Sequence, residues 1–205
     1  MSKTECVNRT MIPFIAIVIY FAILSPGASA QDSVIFDGHR HKIGFITGYG
    51  SQYALNVPYD YKVCFLQAQY NYSLLRKQSW SFEIQLQPQF NLTRYRPVND
   101  SVHHENGYEY GLNVALLFRK NFRDDLFGLY IFIGTGPHYI SGAPQRQTNG
   151  FIFSDNLFIG INIKLSEHLF LDVRPGIRHI SNAGIENPNG GVNTAVISGG
   201  IFYTL

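Results

Sequence analysis

From His41 onward the chain alternates in hydropathy with a period of two. Between Tyr108 and Lys120, the residues Tyr108, Tyr110, Leu112, Val114, Leu116 and Phe118 share one parity, and Glu109, Gly111, Asn113 and Ala115 share the other. Between Ser79 and Leu92, Phe82, Ile84, Leu86 and Pro88 oppose Glu83, Gln85, Gln87 and Gln89. Successive side chains of a strand point to opposite faces, so each segment presents one apolar face and one polar or small one. The pattern predicts eight strands: His41 to Ser51, Tyr61 to Ser73, Ser79 to Leu92, Tyr108 to Lys120, Phe127 to Ile140, Gly150 to Lys164, His168 to Ser181 and Val192 to Leu205. Each is rich in aromatic and β-branched residues, and turn formers separate them.

The links between these segments alternate too. Those after the first, third, fifth and seventh strands, Gln52 to Asp60, Thr93 to Gly107, Ser141 to Asn149 and Asn182 to Gly191, are longer than the ones between them. Short turns at one end and long loops at the other, with alternating strands of about ten residues, are the signature of a transmembrane barrel. Such a barrel leaves no backbone edge unpaired in hydrocarbon. In the last strand Asn193, Ala195, Ile197, Gly199, Ile201, Tyr203 and Leu205 share a face, which resembles the terminal strand of outer-membrane barrels. The expected fold is therefore an all-β, eight-stranded antiparallel transmembrane β-barrel over residues 31–205, in the outer membrane. A soluble lipocalin-like barrel with an apolar ligand inside fits less well, because the second faces of the third and seventh strands are polar.

The first residues read differently. Lys3 and Arg9 precede an apolar run from Met11 to Leu24, followed by Pro26, Gly27 and Ala28-Ser29-Ala30. A basic start, a short apolar core and a small-residue end make a secretory signal peptide, residues 1–30, with cleavage expected before Gln31. Cys6 leaves with it, so Cys64 remains alone and no intramolecular disulfide can form. The formal net charge is +2, with no basic cluster to focus it, so no nucleic-acid partner is expected. Tyr at 13 and Phe at 16 residues suit the aromatic girdles of a barrel.

Candidate chemistry lies on the seventh strand. Leu169, Leu171, Val173, Pro175, Ile177, His179 and Ser181 share the apolar parity, while Asp172, Arg174 and Arg178 lie on the other and read as an interior charge network. A strand crosses the apolar layer in about 9–11 residues, which puts His179 and Ser181 at its outer end, facing lipid. Residues two apart lie about 6.5–7 Å apart along a strand, within reach of a hydrogen bond between side chains. A serine hydroxyl needs a neighbouring base to act as a nucleophile, and a third group to hold the imidazole. Asn193 opens the adjacent strand on the same outward face. Glu186, in the loop between, is the second candidate for that third position.

The run His179-Ile-Ser181-Asn182-Ala-Gly184, followed by Pro188-Asn189-x-Gly191, resembles the outer-membrane lipid A deacylases called PagL. The resemblance implies a carboxylic ester hydrolase that needs no cofactor or metal and removes an ester-linked acyl chain from lipid A, the membrane anchor of lipopolysaccharide. By position it makes His179 the base, Ser181 the nucleophile, and Gly184 and Asn189 the region of the oxyanion hole. The family's acid is a Glu where this chain has Asn193. The expected partners are lipid A and the surrounding outer-membrane lipids; a homodimer is left open, as is the acyl chain removed. The alternative is a non-catalytic barrel that binds lipopolysaccharide or serves a structural role, and the amide at Asn193 favours it.

Two further motifs carry less. His103-His104-Glu105 lacks the spacing of a preformed metal site. Asn71-Tyr-Ser and Asn91-Leu-Thr match the glycosylation pattern, yet both fall on or at the ends of expected strands.

Overall fold

A computed structural model of the chain describes residues 40–55, 57–77, 79–96, 103–123 and 125–205. The signal segment expected at residues 1–30 lies outside them. Nine strands form: β1 (His41–Ser51), β2 (Tyr61–Lys77), β3 (Trp80–Tyr95), β4 (Glu105–Phe122), β5 (Phe127–Thr135), β6 (Pro137–Ile140), β7 (Gly150–Lys164), β8 (Leu169–Ser181) and β9 (Val192–Thr204). Every pairing is antiparallel, and β1 pairs with β9, so the sheet closes on itself. Strands β5 and β6 together form one stave of an eight-stave barrel, since both lie between β4 and β7.

The expected fifth strand is thus divided, at Gly136. Its register does not slip: Thr135 faces Val114 and His138 faces Gly111, the same spacing on both strands. The interruption is chemical. Pro137 has no N–H to give to the ladder, and a Cβ at Gly136 would stand 1.9 Å from the Leu112 carbonyl oxygen. Strands β2, β3 and β4 run further than the alternation predicts. At the rim opposite the one that carries His41, the added ends of β3 and β4 hold polar residues such as Arg94 and Asn106, while the added end of β2, past a bulge at Ser73/Leu75, lies at the His41 rim. In both places the two-residue hydropathy period fades before the pairing does.

Burial is inverted relative to a soluble domain. On β3 the buried side chains are Ser81, Glu83, Gln85, Gln87, Gln89, Asn91, Thr93 and Tyr95, while Leu86, Phe90 and Leu92 are exposed. Around the ring, Phe45, Leu66, Leu116, Ile133, Ile159, Ile177 and Ile201 likewise face outward. In water such a continuous apolar belt would be untenable; in hydrocarbon it is what a closed barrel presents. Aromatic pairs mark its edges. Trp80 stacks on Phe118 towards the rim that carries His41 and Leu205, and Phe90, Tyr108, Tyr110 and Tyr139 form a stacked row towards the far rim.

An eight-strand barrel is just wide enough for side chains to fill it. Here the filling mixes ionic and amide groups with a buried apolar cluster that includes Phe65, Leu117, Phe132 and Ile180. Glu83 accepts hydrogen bonds from Lys42 Nζ at 2.7 Å, Arg119 Nη2 at 3.2 Å and Ser81 Oγ at 2.8 Å. Glu109 is bonded by Arg178 and His138, and Arg178 Nε also donates to Ser154 Oγ at 2.9 Å. Tyr130 donates to Asp172 at 2.5 Å, and Arg174 lies over the Phe132 ring at 4.9 Å. The interior network expected of Asp172, Arg174 and Arg178 is therefore present. Asn71 and Asn91 belong to this interior as well, which keeps the glycosylation pattern out of solvent.

Removing one member of a buried ion cluster leaves its partners charged and unpaired. Glu83→Leu would strand Lys42 and Arg119. It is expected to lower the free energy of unfolding by about 3–5 kcal/mol, read from the urea midpoint of the barrel in lipid vesicles. Phe90→Leu on the outer wall should leave that midpoint nearly unchanged.

Candidate functional site

The outer end of β8 and the start of β9 bring the candidate residues together. His179 and Asn193 are direct register partners, and the imidazole Nδ1 lies 2.7 Å from Asn193 Oδ1. A carboxamide oxygen only accepts, so Nδ1 carries the hydrogen, and in the neutral ring Nε2 is the acceptor. Ser181 lies two residues further along β8 on the same outward face, and its hydroxyl has no hydrogen-bond partner among the described residues.

Asn193 is held from behind. Strand β1 ends at Ser51, opposite Ala195, so the peptide groups of Asn193 lack a partner on that side. Tyr59 supplies one: its hydroxyl accepts from Asn193 N at 2.6 Å and donates to Asn193 O at 3.1 Å. With its peptide groups turned to Tyr59, Asn193 forms a non-hydrogen-bonded pair with His179, the arrangement in which facing side chains approach most closely. Burial pushes the Tyr59 phenol above its ordinary value, against the lowering pull of the Asn193 backbone and of Arg146, so it stays protonated and able to donate. Arg146 lies over the Tyr59 ring at 5.1 Å, and its guanidinium also bonds the Gly190 carbonyl.

The loop from Asn182 to Gly191 is built around Asn182. Its backbone N donates to Asn189 Oδ1 at 3.0 Å, its Oδ1 accepts from Gly184 N at 3.0 Å, and its Nδ2 donates to Glu186 O and to Thr148 Oγ1, both at 2.7 Å. The Gly184 amide is thus engaged by Asn182, while Asn189 has its Nδ2 donor free of any bond among the described residues. Glu186 contributes its carbonyl, and its side chain makes no hydrogen bond to His179. Gly191 takes a φ of 63°, and a Cβ there would meet His179 Cε1 at 2.4 Å. Only glycine combines that backbone with that proximity.

The His103-His104-Glu105 run disperses. His104 Nε2 lies 2.8 Å from Asp60 Oδ2, and Glu105 accepts from Tyr95 at 2.6 Å. Burial alone would raise the Asp60 carboxyl, but hydrogen bonds from His104 and Gln52 outweigh it and hold the group below its ordinary range.

The sequence model of the lipid A 3-O-deacylase (PagL) family matches residues 62–201, from the start of β2 into β9. The chain belongs to that family. In three dimensions it is similar to the outer membrane enzyme PagL, at 14% identity and a TM-score of 0.56, covering 78% of this chain and 97% of that one. It is also similar to Neisserial surface protein A, at 12% identity and a TM-score of 0.50, covering 80% of this chain and 96% of that one. These likenesses show the fold. No curated protein sequence matches the chain. The deacylase family, the closed inverted barrel and these neighbours make this an outer-membrane β-barrel protein.

Within this deacylase-family barrel the structure adds residues that reading the chain did not single out. Tyr59 and Arg146 come from two other loops at the same rim, and no local pattern links Tyr59 to a residue 134 positions away. Gly191 closes the family-like run, and its closeness to the His179 ring emerges only in the folded chain. Asp155, on β7, was signalled in principle, because it interrupts an apolar parity between Phe153 and Leu157.

Tyr59→Phe removes both bonds to the Asn193 peptide. The Asn193 amide is then expected to exchange with solvent deuterium about tenfold faster, matching roughly one hydrogen bond's net contribution, in hydrogen-exchange mass spectrometry of the barrel in micelles.

Proposed function

We propose that the chain is an ester hydrolase that removes an acyl chain from lipid A within the outer leaflet. The observation that carries this reading is the His179–Asn193 hydrogen bond beside Ser181, on the lipid-facing side of a barrel of the deacylase family. His179 Nε2 takes the Ser181 proton as the serine oxygen adds to the ester carbonyl. Asn189 Nδ2 donates to the oxygen on which charge develops, with Gly184 in the same loop. The protonated imidazole then gives its proton to the departing sugar oxygen, and water repeats the sequence to free the acid. No step calls on a metal or cofactor. The filled interior supports entry of substrate from the membrane plane, because a lipid cannot pass through a barrel of this width.

Asn193 fits part of the third role: an amide holds the imidazole's tautomer but offers no charge to the imidazolium. Export by the N-terminal segment, residues 1–30, belongs to the same proposal, as does the ester-linked chain as target.

Mass spectrometry of lipid A from membranes expressing the parent or Ser181→Ala tests the reading. Loss of one acyl chain is expected with the parent and not with the variant. Unchanged lipid A with both, while the barrel is folded, would replace the reading by a non-catalytic barrel that binds lipopolysaccharide or stiffens the membrane.

A further inference from the structure

Asp155 occupies a costly position. On β7 its parity is shared by Phe151, Phe153, Leu157, Ile159, Ile161 and Ile163. Among the described strand positions that face outward, it is the one carboxylate. Ionisable groups on a lipid-facing wall are disfavoured and tend to mark a functional site with a nearby partner.

The register names that partner. Asp155 faces His179 across β7 and β8, and His179 faces Asn193 across β8 and β9. Three side chains therefore form one row over three strands, with the candidate base in the middle. Thr135 Oγ1 donates to Asp155 Oδ1 at 2.6 Å and fixes the carboxylate, while the second oxygen has no hydrogen-bond partner among the described residues. Asp155 makes no hydrogen bond to the imidazole, whose Nδ1 is committed to Asn193. Facing residues of a hydrogen-bonded antiparallel pair lie about 5.5 Å apart at Cα, close enough for a full charge to act through space in a poorly screened setting.

In a hydrolytic triad one carboxylate both orients the histidine and offsets the imidazolium charge. We propose that this chain divides the two tasks: Asn193 orients His179, and Asp155, from the opposite strand, supplies the negative charge that stabilises the imidazolium. The inference rests on the hydrolase reading above. The proton moves from Ser181 Oγ to His179 Nε2 as the new O–C bond forms, and later from Nε2 to the departing oxygen; Asp155 neither gains nor loses one. It acts through His179 and is a positioning residue.

The test measures fatty-acid release from purified lipid A in mixed micelles by the folded barrel, with folding of each variant checked by its heat-dependent gel mobility. Asp155→Asn is expected to lower kcat about 10- to 100-fold with KM unchanged within about twofold, the signature of an interaction made in the transition state. Asp155→Glu should retain most of the rate. Asp155→Leu, which suits a lipid-facing wall, should behave like Asp155→Asn. In an Asn193→Glu background the loss caused by Asp155→Asn should shrink to about threefold or less, because a carboxylate at position 193 makes the second charge redundant. An active parent indifferent to Asp155→Asn, or an equal loss in both backgrounds, would overturn the division of tasks. A parent as inactive as Ser181→Ala would instead overturn the hydrolase reading, and this inference with it.

Discussion

Everything in this molecule follows from the closing of β1 onto β9. In hydrocarbon no water is available to satisfy peptide groups, so each must find its partner in a neighbouring strand, and an open sheet would leave two unpaired rows. Closure removes the edges and creates an inside, and it fixes which parity of every strand faces in. The outward parity meets lipid, and the charged groups of the inward parity pair with one another, Glu83 with Lys42 and Arg119, and Glu109 with Arg178 and His138. Where β1 stops short at Ser51 the ladder fails locally, and the Tyr59 hydroxyl takes its place on Asn193.

The interior and the candidate site are therefore two faces of one strand. Arg178 points inward to Glu109 and Ser154, and His179, the next residue, points outward to Asn193. Anchoring the first sets the angle at which the second is presented. A site on the wall of a barrel has no cleft to shape it, and rigidity must come from the ladder and from loops laid over the rim. The Asn182 amide, bonded to Gly184, Glu186 and Thr148, ties the β8–β9 loop to the β6–β7 loop for that purpose.

Much of this was legible in the residues. Strand parity was, because a period of two survives wherever one face meets lipid, and His41–Ser51 and Gly150–Lys164 form over the expected spans. The extra length of β3 and β4 was not, because beyond the apolar layer Arg94 and Asn106 have no reason to alternate with apolar neighbours. The placing of His179, Ser181 and Asn193 on one outward face follows from parity alone. Loop contacts do not, since irregular backbone carries no period: the Gly184 amide turned to Asn182 and the phenol of Tyr59 behind Asn193 could be found only in three dimensions. Asp155 lies between these cases, visible as a break in an apolar run but without meaning until the register set it opposite His179.

The outward placement of His179 and Ser181 also sets the units in which encounters must be counted. A molecule that reaches them travels in two dimensions, so the quantity that governs meeting is its share of the leaflet's area and not its molarity in the surrounding water. Adding inert detergent or lipid at constant total concentration spreads the same molecules over more surface and makes meetings rarer. Two membranes with equal bulk content but different lipid make-up would, to this wall, be different solutions.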